Sequence, residues 1–125
     1  MFRTLIRNYI SGLLFGIFIL ILSVIPISIG EKSSVLVFPG LDKLVHAGMY
    51  CLFAALLTND YLRANGFKLK KLFLLLATIL AYSILIEIIQ LVAPYRSGEI
   101  LDALANLGGI LLGASVVYFW RKFKY

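Results

Sequence analysis

The sequence of 125 residues has little charge, since only 14% of its residues are Asp, Glu, Lys or Arg, whereas soluble domains carry roughly 25%. Hydrophobic residues make up 62% of the chain, and soluble domains contain about 45–50%. One domain of this length has too small an interior to hide so much apolar surface. The composition therefore excludes an ordinary soluble domain and predicts an integral membrane protein.

Cysteine and the common catalytic motifs are also scarce. Cys51 is the single cysteine, which excludes an internal disulfide and any site built from paired thiols. The chain contains no Walker loop, no CxxC pair and no HExxH. Its net charge of +6 does not indicate nucleic-acid binding, because the basic residues gather at the ends of apolar segments and form no stripe. We expect no nucleic-acid partner.

The apolar segments predict an all-α fold, an integral membrane bundle of four transmembrane helices in a single domain over residues 1–125. The predicted spans cover about residues 9–29, 42–62, 72–93 and 99–120. A cleaved signal peptide is the alternative for the first segment, but its apolar run is long and no A-x-A-like cleavage site follows it. We therefore expect an uncleaved first span.

Basic residues are distributed unequally between the two sides of this bundle. With both termini in the cytoplasm, nine Lys or Arg residues lie inside and three outside, which favours an N-in, C-in topology. The inner residues are Arg3, Arg7, Arg63, Lys68, Lys70, Lys71, Arg121, Lys122 and Lys124, and the outer ones are Lys32, Lys43 and Arg96. We expect the inner half of the bundle to be almost purely hydrocarbon.

Polar residues interrupt the apolar segments in what this orientation makes the outer half of the bilayer. They are Asp42, Lys43 and His46 in the second segment, Glu87 and Gln90 in the third, Arg96 in the turn that follows, and Asp102 and Asn106 in the fourth. Pairs three or four positions apart share one helix face. The short turn makes the third and fourth helices antiparallel neighbours. We therefore predict one polar site, because ionisable groups in membrane segments are costly and usually functional.

The residue types suggest roles in that site. Glu87 and His46 are candidate catalytic bases, with Asp102 as their partner. The alternatives are that Glu87 is a structural carboxyl, protonated or paired with Arg96 or His46, and that Asp102 only complements the helix dipole. The residues leave open whether the site is catalytic.

Five further residues are candidates for substrate binding, namely Arg96, Lys43, Asp42, Gln90 and Asn106. The guanidinium of Arg96 suits phosphate or carboxylate, and Lys43 would help to hold a phosphate. Gln90 and Asn106 would satisfy hydrogen bonds of the buried charges. Alternatively, Asp42 is a helix cap, Arg96 anchors the chain to anionic lipid, and Lys43 extends towards the headgroups.

A metal site was weighed against these roles. Zinc needs three or four ligands, and one histidine with carboxylates is a sparse set. We therefore predict no cofactor, with a bound metal as the less favoured alternative.

The spacing of these residues resembles that of the VanZ-like family of small bacterial membrane proteins. The matching elements are Asp42-Lys43-Leu-Val-His46, Glu87-Ile-Ile-Gln90, Pro94, Arg96, Asp102-Ala-Leu-Ala-Asn106 and Gly108-Gly109, within about residues 40–115. The resemblance implies four spans in the bacterial cytoplasmic (inner) membrane and, for the founding member, a link to glycopeptide resistance, chiefly to teicoplanin. It implies no settled biochemical activity.

Three functions fit these features. The first is binding or modifying an anionic envelope lipid or lipid-linked precursor at the outer leaflet. The second is proton- or ion-coupled transport, for which four short spans would need a homodimer to enclose a path. The third is a non-catalytic structural or interaction subunit whose polar residues fix helix register. We favour the first, which makes membrane lipids the expected partners.

Overall fold

The computed structural model is built from four long α-helices and describes residues 1–24, 41–92 and 100–124, without the side chains of Leu41 and Asp42. The helices are α1 (Phe2–Val24), α2 (Leu41–Asn65), α3 (Leu69–Val92) and α4 (Ile100–Lys124). The predicted all-α class and the number of helices are confirmed for the described residues. All four helices extend three to seven residues further than predicted at one end, since Lys and Arg are good helix formers.

Three of the helices are long and apolar enough to cross a membrane, namely α1, α3 and α4. Within the described residues α2 is less apolar, because it carries Lys43 and His46 near one end and Asn59, Asp60 and Arg63 near the other. α2 is instead the central helix, in contact with each of the other three. Crossing of the membrane by all four helices stays a prediction.

The outer surface of the bundle is strongly apolar. Leu14, Phe73 and Leu112 are 60%, 72% and 60% exposed. The buried apolar core is small by comparison and draws on all four helices, with Ile19, Tyr50, Phe53, Ala54, Ile79 and Ile110. Exposed apolar surface of this extent is stable in lipid and would aggregate in water. The structure therefore describes an integral membrane protein.

Side-chain contacts define the directions of the helices. On α1, Gly12 lies against Leu57 and Gly16 lies against the ring of Phe53, so α1 and α2 are antiparallel. Tyr82 on α3 donates a 2.6 Å hydrogen bond to the carbonyl of Gly16 and ties α3 to α1. Arg121 donates to Asn59, which places the last turn of α4 beside the last turns of α2.

These directions place all nine basic residues predicted to be cytoplasmic at one end of the bundle, which we call the basic end. The start of α1 and the end of α2 meet there, because Arg63 donates a 3.1 Å hydrogen bond to the carbonyl of Asn8. The backbone of α1 kinks at Tyr9, next to this contact, with φ −118° and ψ 19°. A side chain that binds a helix carbonyl is a known cause of such kinks.

The closest approach between helices is that of α2 and α4. Gly109 lies against the carbonyl of Ala47, and Gly113 lies against the carbonyl of Cys51. From the first contact to the second, the residue number rises by four on both helices, so α2 and α4 are parallel. A Cβ atom at either glycine would collide with backbone that cannot rotate away. Glycine is therefore required for this contact, as is common between membrane helices.

We expect Gly113→Ala to lower the free energy of unfolding by about 1–3 kcal/mol, because the new methyl group overpacks the α2–α4 contact. Gly108→Ala is the matched control, since a Cβ atom there meets nothing within 4 Å. The control should be neutral or slightly stabilising, because alanine favours helix over glycine. Unfolding of both variants in detergent, followed by fluorescence of Trp120, measures the difference. Equal stability would contradict the tight contact.

Candidate functional site

Three helices contribute ionisable groups to one buried cluster. His46 on α2, Glu87 on α3 and Asp102 on α4 each offer a ligand atom, and these atoms all lie within 4.8 Å of one another. Glu87 is 6% exposed and Asp102 is 3% exposed. We call these residues, together with Lys43 and Asn106, the polar cluster. It lies at the end of the bundle opposite the basic end.

Asp102 is at the centre of the cluster's ion pairs. Its Oδ1 atom lies 3.7 Å from Lys43 Nζ and 3.7 Å from His46 Nδ1. Both distances exceed those of hydrogen bonds, which are about 2.7–3.2 Å. Among the described residues, neither Asp102 Oδ1 nor His46 Nδ1 makes a hydrogen bond, although both atoms are buried. These two atoms therefore retain lone pairs or protons for another partner.

Glu87 and Asn106 connect α3 to α4. Asn106 is fully buried, and its Nδ2 atom donates a long hydrogen bond of 3.5 Å to Glu87 Oε1. Gln90 is 5% exposed and lies three residues after Glu87, so both face the interior. The contact orients the Glu87 carboxylate towards α4.

Glycine positions this cluster. Asp102 and Asn106 precede Gly109 on α4 by two turns and one turn, and the carbonyl that touches Gly109 belongs to Ala47, next to His46. The close approach of α4 to α2 therefore continues directly into the contact between Asp102 and His46. A larger residue at 109 would separate the carboxylate from the imidazole.

The structure brings together six of the predicted residues within or beside the cluster, namely Lys43, His46, Glu87, Gln90, Asp102 and Asn106. The predicted convergence of α3 and α4 is confirmed by the contact between Glu87 and Asn106. Arg96 and the side chain of Asp42 lie outside the described residues. The catalytic and binding roles of all eight stay predictions.

The structure contains a second polar cluster, at the basic end, which the sequence did not lead us to expect. Asp60 is 3% exposed and accepts hydrogen bonds from Ser11 Oγ at 2.7 Å and from Arg63 at 3.3 Å. Thr58 is fully buried nearby in sequence. The expectation that the inner half of the bundle is almost purely hydrocarbon is therefore wrong. Asp60 lies near the end of the predicted second span, and its spacing of fourteen residues from His46 places both on one face of α2.

Long apolar helices with a buried polar cluster at one end define a polytopic α-helical membrane protein, and the comparison with family models agrees. The chain belongs to the VanZ/LLP1 family, whose model matches residues 3–121. The match covers nearly the whole chain and confirms the resemblance that the motifs suggested. No curated protein and no solved structure matches the chain.

The two buried aspartates should respond differently to replacement by leucine. Asp60→Leu removes the acceptor of two hydrogen bonds and should lower the free energy of unfolding by about 2–4 kcal/mol. Asp102→Leu should change it by less than about 1 kcal/mol, because the side chain of Lys43 is 30% exposed and can turn to water, so that its charge is not left buried and unpaired. Unfolding in detergent compares them. A larger loss for Asp102→Leu would make the polar cluster a structural element.

Proposed function

We propose that this VanZ-family membrane protein binds or modifies the headgroup of an anionic envelope lipid or lipid-linked precursor, using the polar cluster. The observation that supports this proposal most strongly is the convergence of half-buried His46 with buried Glu87 and Asp102 between helices whose outer surfaces are apolar. Burying charges costs several kcal/mol, and apolar residues would fill the same space at least as stably. Such a cluster is best explained by a ligand.

The charge distribution supports a site in the outer half of the bacterial cytoplasmic membrane. The basic end carries nine Lys and Arg residues, which the positive-inside rule assigns to the cytoplasm. The polar cluster lies at the opposite end, so an N-in, C-in topology with four spans would place it beneath the outer headgroups. Lipids and lipid-linked precursors present their phosphates at that depth.

The residues offer distinct roles for a phosphate-bearing headgroup. The side chain of Lys43 is 30% exposed, so it can reach from the cluster to a phosphate at the surface. Arg96, predicted in the turn between α3 and α4, would add a second cation. Glu87 or His46 would act as a general base if the headgroup is also modified.

An apolar groove favours a lipid over a water-soluble ligand. α1, α2 and α3 line a groove of about 770 Å³, to which α2 contributes Phe53 and Leu57. It extends along α1 from Phe2 to Leu20, roughly 27 Å at 1.5 Å per residue, which is close to the thickness of the hydrocarbon core. An acyl or prenyl chain would fit along it.

Proton transport is the second candidate, and one observation favours it. Tyr50 and Thr58 are fully buried on α2 between the two polar clusters, and their hydroxyls make no hydrogen bond among the described residues. Eight residues, about 12 Å of helix, separate them, so a proton path would need intervening water. A pH change inside proteoliposomes under an imposed gradient, lost in Tyr50→Phe, would support transport over lipid binding.

Lipid selectivity tests the favoured proposal. We expect the purified protein to bind polyprenyl phosphate or phosphatidylglycerol at least tenfold more tightly than diacylglycerol, as measured by native mass spectrometry. Lys43→Gln should weaken anionic lipid binding by about 10–100-fold, the usual value of a charge-assisted hydrogen bond. Lys71→Gln is the control, because it removes the same charge at the basic end. Equal losses in both variants would indicate non-specific attraction.

Glu87→Gln separates binding from chemistry. If the lipid is modified, this variant should lower turnover by about 10²–10⁴-fold, the usual contribution of a general base. Asp60→Asn is the control, because it makes the same change from carboxylate to amide at the basic end, and it should keep full activity. Equal binding and turnover in Glu87→Gln and the unmodified protein would remove Glu87 from the mechanism.

We further propose that the lipid links this protein to glycopeptide susceptibility. Expression of the chain in a susceptible host should raise the inhibitory concentration of teicoplanin, and Glu87→Gln should remove that increase at equal protein levels. Susceptibility assays on the two strains and on an empty-vector strain measure this effect. No change on expression of the unmodified chain would separate the lipid site from resistance.

A further inference from the structure

We propose that His46, Glu87 and Asp102 bind a divalent transition-metal ion of the zinc or manganese type. The ion site rests on the geometry of these three residues alone. Its use in holding the phosphate of a lipid rests on the proposed function, so the two parts are tested separately.

The distances suit one ion. Metal–ligand distances for His and carboxylate ligands are about 2.0–2.2 Å, so ligand atoms around one ion are roughly 3–4 Å apart. The ligand atoms of the three residues already lie within 4.8 Å of one another on three different helices. Side-chain rotations that move each atom by about an ångström would close the remaining distance. No movement of the helices is required.

Two buried polar atoms of the cluster are placed to bind the ion. The side chain of Asp102 is 5% exposed, and its Oδ1 atom makes no hydrogen bond among the described residues. His46 Nδ1 faces that atom at 3.7 Å and also makes none. A buried carboxylate oxygen and a buried imidazole nitrogen without such partners are costly. A shared metal ion would satisfy both atoms at once.

Charge gives a second, independent argument. Two carboxylates and one lysine leave one formal negative charge in the cluster when the imidazole is counted as uncharged, which is the form in which it binds a metal. A net negative site repels a phosphate. A divalent ion would reverse the sign to positive, release Lys43 from Asp102 and turn the cluster into an anion site. The ion therefore explains how a site with two carboxylates would hold an anionic headgroup.

The donor set selects the class of metal. One imidazole with two carboxylates suits Zn²⁺ or Mn²⁺ better than Mg²⁺, which prefers oxygen ligands and keeps its waters. Three protein ligands also leave a coordination position open, as in catalytic rather than structural sites. Asn106 would act in the second shell, because its amide already contacts the Glu87 carboxylate.

Metal content tests the ion site without any lipid. Protein purified in detergent is stripped with a chelator, dialysed against Zn²⁺ or Mn²⁺, and assayed by mass spectrometry of the metal. We expect one ion per chain and at least about 100-fold weaker binding in His46→Gln and in Asp102→Asn, since even outer ligands are worth 10–100-fold. Asp60→Asn is the control, because Asp60 is an equally buried carboxylate at the other end. It should bind as the unmodified protein does.

Spectroscopy checks that the site is intact in the unmodified protein and in the control variant. Electron spin echo spectra of the Mn²⁺ form should show coupling to one imidazole nitrogen in the unmodified protein and in Asp60→Asn. Absence of that coupling, no stoichiometric binding, or equal loss of binding in all three variants would each overturn the ion site.

A chelator separates the ion from the lipid. If anionic lipid binding persists at full strength after chelation, the role proposed for the ion is wrong and the lipid proposal stands. If the ion binds with one-to-one stoichiometry and no anionic lipid is selected, the ion site stands and the lipid proposal fails. Loss of lipid binding on chelation and its return with Zn²⁺ or Mn²⁺ would support both.

Discussion

The contact between α2 and α4 at two glycines is the constraint on which the rest of the structure depends. Gly109 and Gly113 bring the α4 backbone against the carbonyls of Ala47 and Cys51. Because the helices touch there, the carboxylate of Asp102, two turns before Gly109, lies 3.7 Å from the imidazole of His46. α3 then completes the polar cluster from the side, where Glu87 meets Asn106. Packing that involves no polar side chain thus determines where the polar side chains meet.

The two ends of the bundle use buried charge differently. At the basic end Asp60 accepts hydrogen bonds from Ser11 and Arg63, and its carboxylate is satisfied within the protein. At the opposite end Asp102 has ion pairs at 3.7 Å, and its buried Oδ1 atom makes no hydrogen bond among the described residues. A satisfied carboxylate stabilises a fold, whereas an incompletely satisfied one is suited to an external partner. This contrast is why we place the ligand at the polar cluster, opposite the basic end.

Much of this arrangement could be predicted from the sequence, for definite reasons. Apolar runs of span length predicted the four helices, and spacings of three and four residues predicted that Glu87 and Gln90, and Asp102 and Asn106, face inward. The short connection correctly predicted that α3 and α4 are neighbours. It could not show that α4 packs more closely against α2 than against α3. Small residues in a span indicate a close contact between helices, but they do not identify the neighbouring helix. Asp60 was overlooked because charged residues near a span end usually belong to a loop, and its burial depends on Ser11, 49 positions earlier.

The spacing of the two glycine contacts determines how the bundle can move. On both helices the two contact points are four residues, about one turn, apart. Together they fix the position of α4 along α2. A shift of α4 by less than a turn would bring residues other than glycine against these carbonyls, where the backbones leave no room for a Cβ atom. We therefore expect α2 and α4 to move as one unit, which would keep Asp102 and His46 together in any motion of the bundle.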